Sequence, residues 1–298
     1  MTASPTTALS RQWRGHQPLP AEAITDFRAR HPGVAEAWRS TYAELDRILA
    51  AQDPWRGYSY WGPAAARLTA GVDDAWLCGF LMWNIDRFDT RFEQFGLDPE
   101  FYCHFIDSFH RIADQIAADP SFVHRKRDVF LKDLGITRCT LIPAAARLLY
   151  PYTGLSVSQL LGNPGALPYV YGRCGGRRPF FGLHVHQPMA AAYFNPAGWA
   201  ECHRLARLAL AAFPQVRGLM GASWFYDPAA AEVSPHLAYL LEAPLHGGAR
   251  LLRLGESPDF TRDAIAASRT RRAAYEAGAY KPTGYALLWS RKDLEASA

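Results

Sequence analysis

Several common signatures are missing from this sequence. It has no CxxC or CxxH pair, and its five cysteines (Cys78, Cys103, Cys139, Cys174 and Cys202) are odd in number and far apart. That argues against a disulfide framework or a structural zinc site and fits a reducing, cytoplasmic setting. No window approaches the ~18 uninterrupted apolar residues of a membrane helix. The opening MTASPTTALSRQWRGHQPLP lacks an apolar core of signal-peptide length. Charge of one sign is also scarce. Thirty-two Lys and Arg face 28 Asp and Glu, a net charge of +4, too little for a nucleic-acid-binding field. The Walker pattern, GxGxxG and the G-x-S-x-G nucleophile elbow are all absent. There is no internal repeat and no low-complexity block.

Apolar residues are plentiful, at 49% of the chain with 13% aromatic. At 298 residues this predicts one large domain or two closely packed ones. Residues 1–20, with Pro5, Pro18 and Pro20, read as a flexible N-terminal arm. Residues 21–160 read as mainly helical, including a helix over 73–95 opened by two aspartates, helices over 98–118 and 121–134, and a strand at 136–143. Residues 161–179 are rich in Gly, Pro and Arg and read as a long loop, either a linker or a functional lid. Residues 180–298 alternate: strand 180–187, helix 198–213, strand 216–226, a helix from Pro228 to about 242, strand 249–254, helix 262–277 and strand 285–291. The fold class is α+β or α/β, a helical half followed by a mixed sheet flanked by helices.

The chemistry candidates start from RRPFFGLHVHQP, residues 177–188. Residues i and i+2 of a strand share a face, so His184 and His186 project together. Such a pair can hold a metal with a third ligand from Asp227, Glu201 or His246. One histidine of the pair can instead be a general base, because its pKa lies near the working pH. Satisfied hydrogen bonds near a strand end are the plain structural alternative. In GASWFYDP, 221–228, Ser223 and Tyr226 are polar or proton-donating groups, and Asp227 before Pro228 reads as a helix N-cap. RCGGRR, 173–178, offers Arg173, Arg177 and Arg178 to a phosphate or carboxylate, or is a solvated basic turn. In that basic setting a Cys174 thiolate is favoured. The SRTRR run, 268–272, reads as a solvated helix face from which Arg271 or Arg272 could reach an anion.

Across residues 130–298, the stretches FFGLHVH, GWAECHRLARLAL, VRGLMGASWFYDP, SPHLAYL and YKPTGYALLWSRKDL resemble a bacterial protein group without an assigned activity, so that group implies none. The order strand, helix, strand, helix, strand, strand, with FGLHVHQP and then SWxxDP, is similar to the GCN5-related N-acetyltransferase (GNAT) fold. That resemblance implies a GNAT-like region over 180–298 and acyl transfer from acyl-CoA or an acyl-carrier thioester to an amine or other small nucleophile. It makes strand 180–187 a splayed central strand beside the pantetheine arm. It also turns the helix start near Asn195 and Trp199 toward the pyrophosphate. His184 or His186 is then the base, assisted by Ser223 or Tyr226. The chain departs from the family in lacking [QR]-x-x-G-x-[GA] at that turn. RGLMGA, 217–222, is spaced one residue too far and lies on a later strand, and 262–277 is an insertion. Two other readings stand beside this one: a metal-dependent oxidoreductase or hydrolase using His184, His186 and Asp227, and a non-catalytic small-molecule-binding protein. No nucleic-acid or membrane partner is expected.

Overall fold

A computed structural model describes residues 18–266 and 268–297. The expected N-terminal arm lies largely outside the described residues. The chain divides into two compact units between Pro143 and Ala144, earlier than the sequence-based boundary at 160.

The first unit is helical. Asp73 caps the helix Asp74–Asp86 by accepting the Trp76 amide at 2.8 Å. From Leu77 to Ile85 every residue of that helix is buried, so it is the unit's central helix. The expected single helix over 73–95 breaks at Arg87, whose φ of −106° and ψ of 10° leave the helical range, and a second helix runs over Phe88–Phe95. Helix Phe101–Ala118 buries Phe101, Phe105, Phe109, Ile112 and Ile116, an apolar stripe at helical spacing. Phe88 packs against Phe105 and Phe109 from that stripe. Helix Arg127–Thr137 runs into the region expected as strand 136–143, and only Ile142–Ala144 forms a strand there.

The second unit is built on a six-stranded mixed sheet in the order β1-β2-β3-β4-β6-β5. The strands are β1 (Ile142–Ala144), β2 (Arg147–Thr153), β3 (Phe180–Val185), β4 (Gly218–Ser223), β5 (Arg250–Gly255) and β6 (Gly284–Ser290). β3 and β4 are parallel; β2 with β3, β4 with β6 and β5 with β6 are antiparallel. The architecture is therefore α+β, as the sequence predicts. β2 is the strand the sequence reading misses. Pro151 interrupts its pattern, and the structure places Pro151 within a register shift between Tyr150 and Thr153.

One face of the sheet carries Phe180, Met220, Leu252, Ala286 and Leu288. Leu155, Leu160, Val170 and Cys174 pack on it. Helix Val157–Leu161, with a Ser156–Gln159 capping box, leads into the region expected as a loop, 161–179, which itself holds a 3-10 turn at Pro164–Ala166 and a π-helical turn at Pro168–Arg173. It is a core layer, because its apolar side chains cover the sheet. The opposite face carries Phe181, Leu219 and Trp289. Helix Pro196–Leu210 covers it, with His203 edge-on to Trp289 at 5.0 Å, and Phe213, just past the helix, edge-on to Phe181 at 5.3 Å.

Gly218 opens β4 with φ +142°, and a Cβ there would collide with the Trp289 carbonyl oxygen. Gly218→Ala is expected to destabilise the protein by about 2 kcal/mol, from strained backbone plus steric conflict. A urea midpoint unchanged from the parent would contradict this.

Candidate active site

β3 and β4 pair only at Phe181–Leu219 and Gly182–Met220. Both strands continue beyond that point, to Val185 and to Ser223. Their outer edges stay anchored. β2 holds Leu183, His184 and Val185 through Leu149, Leu148 and Arg147. β6 holds Gly221, Ala222 and Ser223 through Leu287, Ala286 and Tyr285. The two halves of the sheet therefore diverge toward the C-terminal ends of β3 and β4. Ala222, at a position of β4 paired only with β6, is exposed. An opening of this kind presents strand edges to which an extended chain can add.

His184 lies in β3 on the lip of this opening and is half-buried. Its imidazole lies back over Gly182, where the Nε2 atom stands 3.2 Å from the position a Cβ would take, and faces Tyr150 at 6.3 Å between ring centroids. His186 falls one residue past the strand, at the start of helix Gln187–Tyr193, with φ −96° and ψ 85°. It is 1% exposed. Strand alternation thus places His184, while His186 follows the geometry of a helix cap, and the simple same-face argument does not extend to it. Ser223 ends β4 on the face of Leu219 and Gly221, opposite the His184 face, and is buried. Tyr226 is buried in the 3-10 turn Trp224–Tyr226, its ring against Gly221. Burial raises its phenol above the ordinary range, against a smaller opposing pull from Arg147, so it is a protonated group. Of the expected catalytic residues, His184 and Ser223 thus lie on opposite faces of the sheet, and His186 and Tyr226 lie past the ends of β3 and β4.

Arg147 is the site residue that sequence reasoning missed. It opens β2, opposite Val185, and is 1% exposed. Phe194, Trp199 and Phe225 lie 5.0, 4.8 and 4.9 Å from its guanidinium carbon. Each such contact is worth roughly 0.5–2 kcal/mol. Burial pushes its pKa down. The sequence signal was a single arginine in the apolar run IPAAARLLY, obscured because β2 itself was not recognised.

The other expected residues are distributed as follows. Asn195 caps helix Pro196–Leu210, its Oδ1 accepting the Gly198 amide at 2.9 Å, and Trp199 enters the box around Arg147. Arg173 pairs with Asp293, and Arg177 donates to the Leu155 carbonyl at 2.9 Å. Arg178 is exposed and offers its carbonyl to Arg217. All three precede β3, at the opposite end of the strand from His184 and His186. Arg173 lines a separate basic cleft of about 450 Å³ with Arg217, Arg291 and Lys292. A six-residue strand spans about 20 Å, so the arginines and the histidines do not form one cluster. Cys174 is not an activated thiolate: burial pushes its pKa up to about 12. Asp227 caps helix Pro228–Val233 through the Ala229 amide at 3.1 Å and accepts the Thr283 amide at 3.1 Å. Among the described residues, no group of three close His, Cys, Asp or Glu ligand atoms includes His184, His186 or Asp227. Arg271, expected on a solvated face, is buried and bonded to Ala264 and Ser234.

No protein-family profile and no curated protein matches the chain. Among solved structures, it is similar to an acyltransferase in complex with decanoyl-CoA and teicoplanin. The TM-score is 0.52 and the identity 14%, over 97% of this chain and 84% of that one. At this identity the likeness establishes the fold: a helical part followed by a mixed sheet, of the kind an acyltransferase uses. Among the described residues no helix is long and apolar enough to cross a membrane.

Proposed function

We propose that the protein is an acyltransferase. It takes an acyl group from CoA or a carrier thioester and delivers it to an amine or another small nucleophile. The observation that carries this reading is the opening between β3 and β4, where two parallel strands part while their outer edges stay paired. A pantetheine arm is an extended chain with two amides and can bond to strand edges as an added strand does. The structural neighbour's complex with decanoyl-CoA supports an acyl-CoA donor. The start of helix Pro196–Leu210, near Asn195 and Trp199, is the proposed phosphate end.

In this reading the thioester carbonyl lies in the opening. The nucleophile forms a bond to the acyl carbon as the carbon–sulfur bond breaks. His184 or His186 takes the nucleophile's proton. Tyr226, kept protonated by burial, or Ser223 gives a proton to the departing thiolate. Both products leave neutralised.

Heat protection tests the reading. Acetyl-CoA and decanoyl-CoA are expected to raise the melting temperature saturably, with a stabilisation of about 2.7 kcal/mol when ligand reaches 100 times Kd. Acyl-CoA at millimolar concentration giving no shift would overturn it.

A further inference from the structure

Arg147 and Arg271 are both almost wholly buried, at 1% and 5% exposure, and they are accommodated in different ways. Arg271 Nε donates to the Ala264 carbonyl at 2.6 Å and its Nη1 to Ser234 Oγ at 3.0 Å. Among the described residues, Arg147 Nε and Nη2 find no hydrogen-bond partner. The three rings of its box face the cation, but ring faces cannot satisfy N–H groups that point along the guanidinium plane.

The identity of the two unbonded nitrogens is informative. The N–H bonds of Nε and Nη2 run side by side along one edge of the guanidinium, the edge that takes a carboxylate with two parallel bonds. This chain uses that edge elsewhere. Arg47 holds Glu44 through Nε at 3.0 Å and Nη2 at 2.7 Å, and Arg204 holds Glu201 through the same pair at 2.8 and 2.7 Å. Among the described residues, Tyr226, Cys202, Tyr239 and His203 lie within reach of the Arg147 charge, and none of them is a carboxylate. Further unbonded polar atoms sit close by: the indole nitrogen of Trp199, within the box, and Nε2 of His203, whose ring meets Trp199 edge-on at 4.7 Å. Among the described residues, these surroundings hold several unbonded polar atoms and no anion.

We propose that Arg147 is the anchor of an internal binding site for a monocarboxylate with an apolar body. The carboxylate would bridge Nε and Nη2, and its apolar part would lie against Phe194, Trp199 and Phe225. Charge balance selects a carboxylate over phosphate. One guanidinium neutralises one negative charge, whereas a phosphate dianion would bring an uncompensated charge among aromatic walls. The proposed way in is past the segment that covers the cation. Helix Gln187–Tyr193 buries none of its residues, and Phe194 follows it directly over the cation. Segments with so little packing open at low cost. Phe194 and Trp199 follow β3 and Phe225 follows β4, so the site stands at the ends of the two diverging strands. It does not depend on the acyl-transfer reading.

The test uses the full chain at pH 7 and constant ionic strength, with benzoate and hexanoate as probes and benzyl alcohol and inorganic phosphate as controls. Calorimetry and melting temperature are read for each. At least one carboxylate is expected to bind saturably, benzyl alcohol not at all, and phosphate at least tenfold more weakly. Arg147→Met removes an unpaired buried charge and should fold; it is expected to weaken carboxylate binding at least tenfold. Arg147→Lys keeps the charge but loses the two-pronged edge, and the same tenfold loss is expected. It decides the question if the methionine variant fails to fold. Absence of saturable carboxylate binding, undiminished binding in the folded variants, or tighter binding of phosphate would each overturn the proposal. Acyl-CoA protection is measured separately, so either reading can fail alone.

Discussion

Lowering the pH from 7 to 4 is expected to destabilise the protein by about 3 kcal/mol through His203 alone. His203 is 4% exposed, its ring between Trp199 at 4.7 Å and Trp289 at 5.0 Å. Burial chiefly, then the charges of Arg207 and Arg147, push its pKa down to about 3 from an ordinary 6.5. The sign follows from proton counting. Between those two values the unfolded chain binds a proton that the folded chain refuses, so stability is present above pH 6.5 and is lost as the pH falls toward 3. His203→Phe keeps a ring between the two indoles and removes the titration. Urea midpoints at pH 7, 6, 5 and 4 should fall less steeply in the variant than in the parent. Equal slopes would show that His203 is not the group responsible.

The second large effect concerns the opening between β3 and β4. Under the acyl-transfer reading, His184→Ala is expected to lower kcat by about 10² to 10⁴, the usual contribution of a positioned general base. His184 is favoured over His186 because it lies within β3 on the lip of the opening and is half-buried, whereas His186 caps the next helix and is buried. The pH–rate profile separates a base from a structural residue. Loss of the base should remove the acid limb of the profile and leave acyl-CoA binding within a few-fold of the parent. An unchanged profile with weakened binding would assign His184 to positioning the donor, and a full effect from His186→Ala alone would move the base there.

Much of this architecture was legible in residue order, and the reasons for the exceptions are physical. β3, β4 and β5 are short runs ended by Pro, Gly or Asp, β6 is the apolar run YALLW, and each was readable as a strand. β2 was not, because Pro151 breaks its alternation and only the bulge between Tyr150 and Thr153 makes the proline tolerable. With β2 unread, Arg147 had no strand to place it and no partner to reveal it. The segment 161–179 looked like a loop because Gly and Pro dominate it, yet Val170 and Cys174, together with Leu160 just ahead of it, are enough to fasten this part of the chain to the sheet. Cys174 shows the same limit. Neighbouring arginines in sequence suggested a stabilised thiolate, but burial outweighs them. The opening itself left no sequence signature. It depends on where the β3–β4 pairing stops, which is a matter of register between strands separated by the chain from 186 to 217.

Hydrogen–deuterium exchange with and without decanoyl-CoA tests the central claim most directly. A thioester seated between β3 and β4 would protect the backbone amides of residues 183–186 and 221–223, with further protection near Asn195 and Trp199. Protection confined to residues 173–178 and 214–217, around the basic cleft at the other end of the sheet, or no protection at saturating ligand, would contradict it.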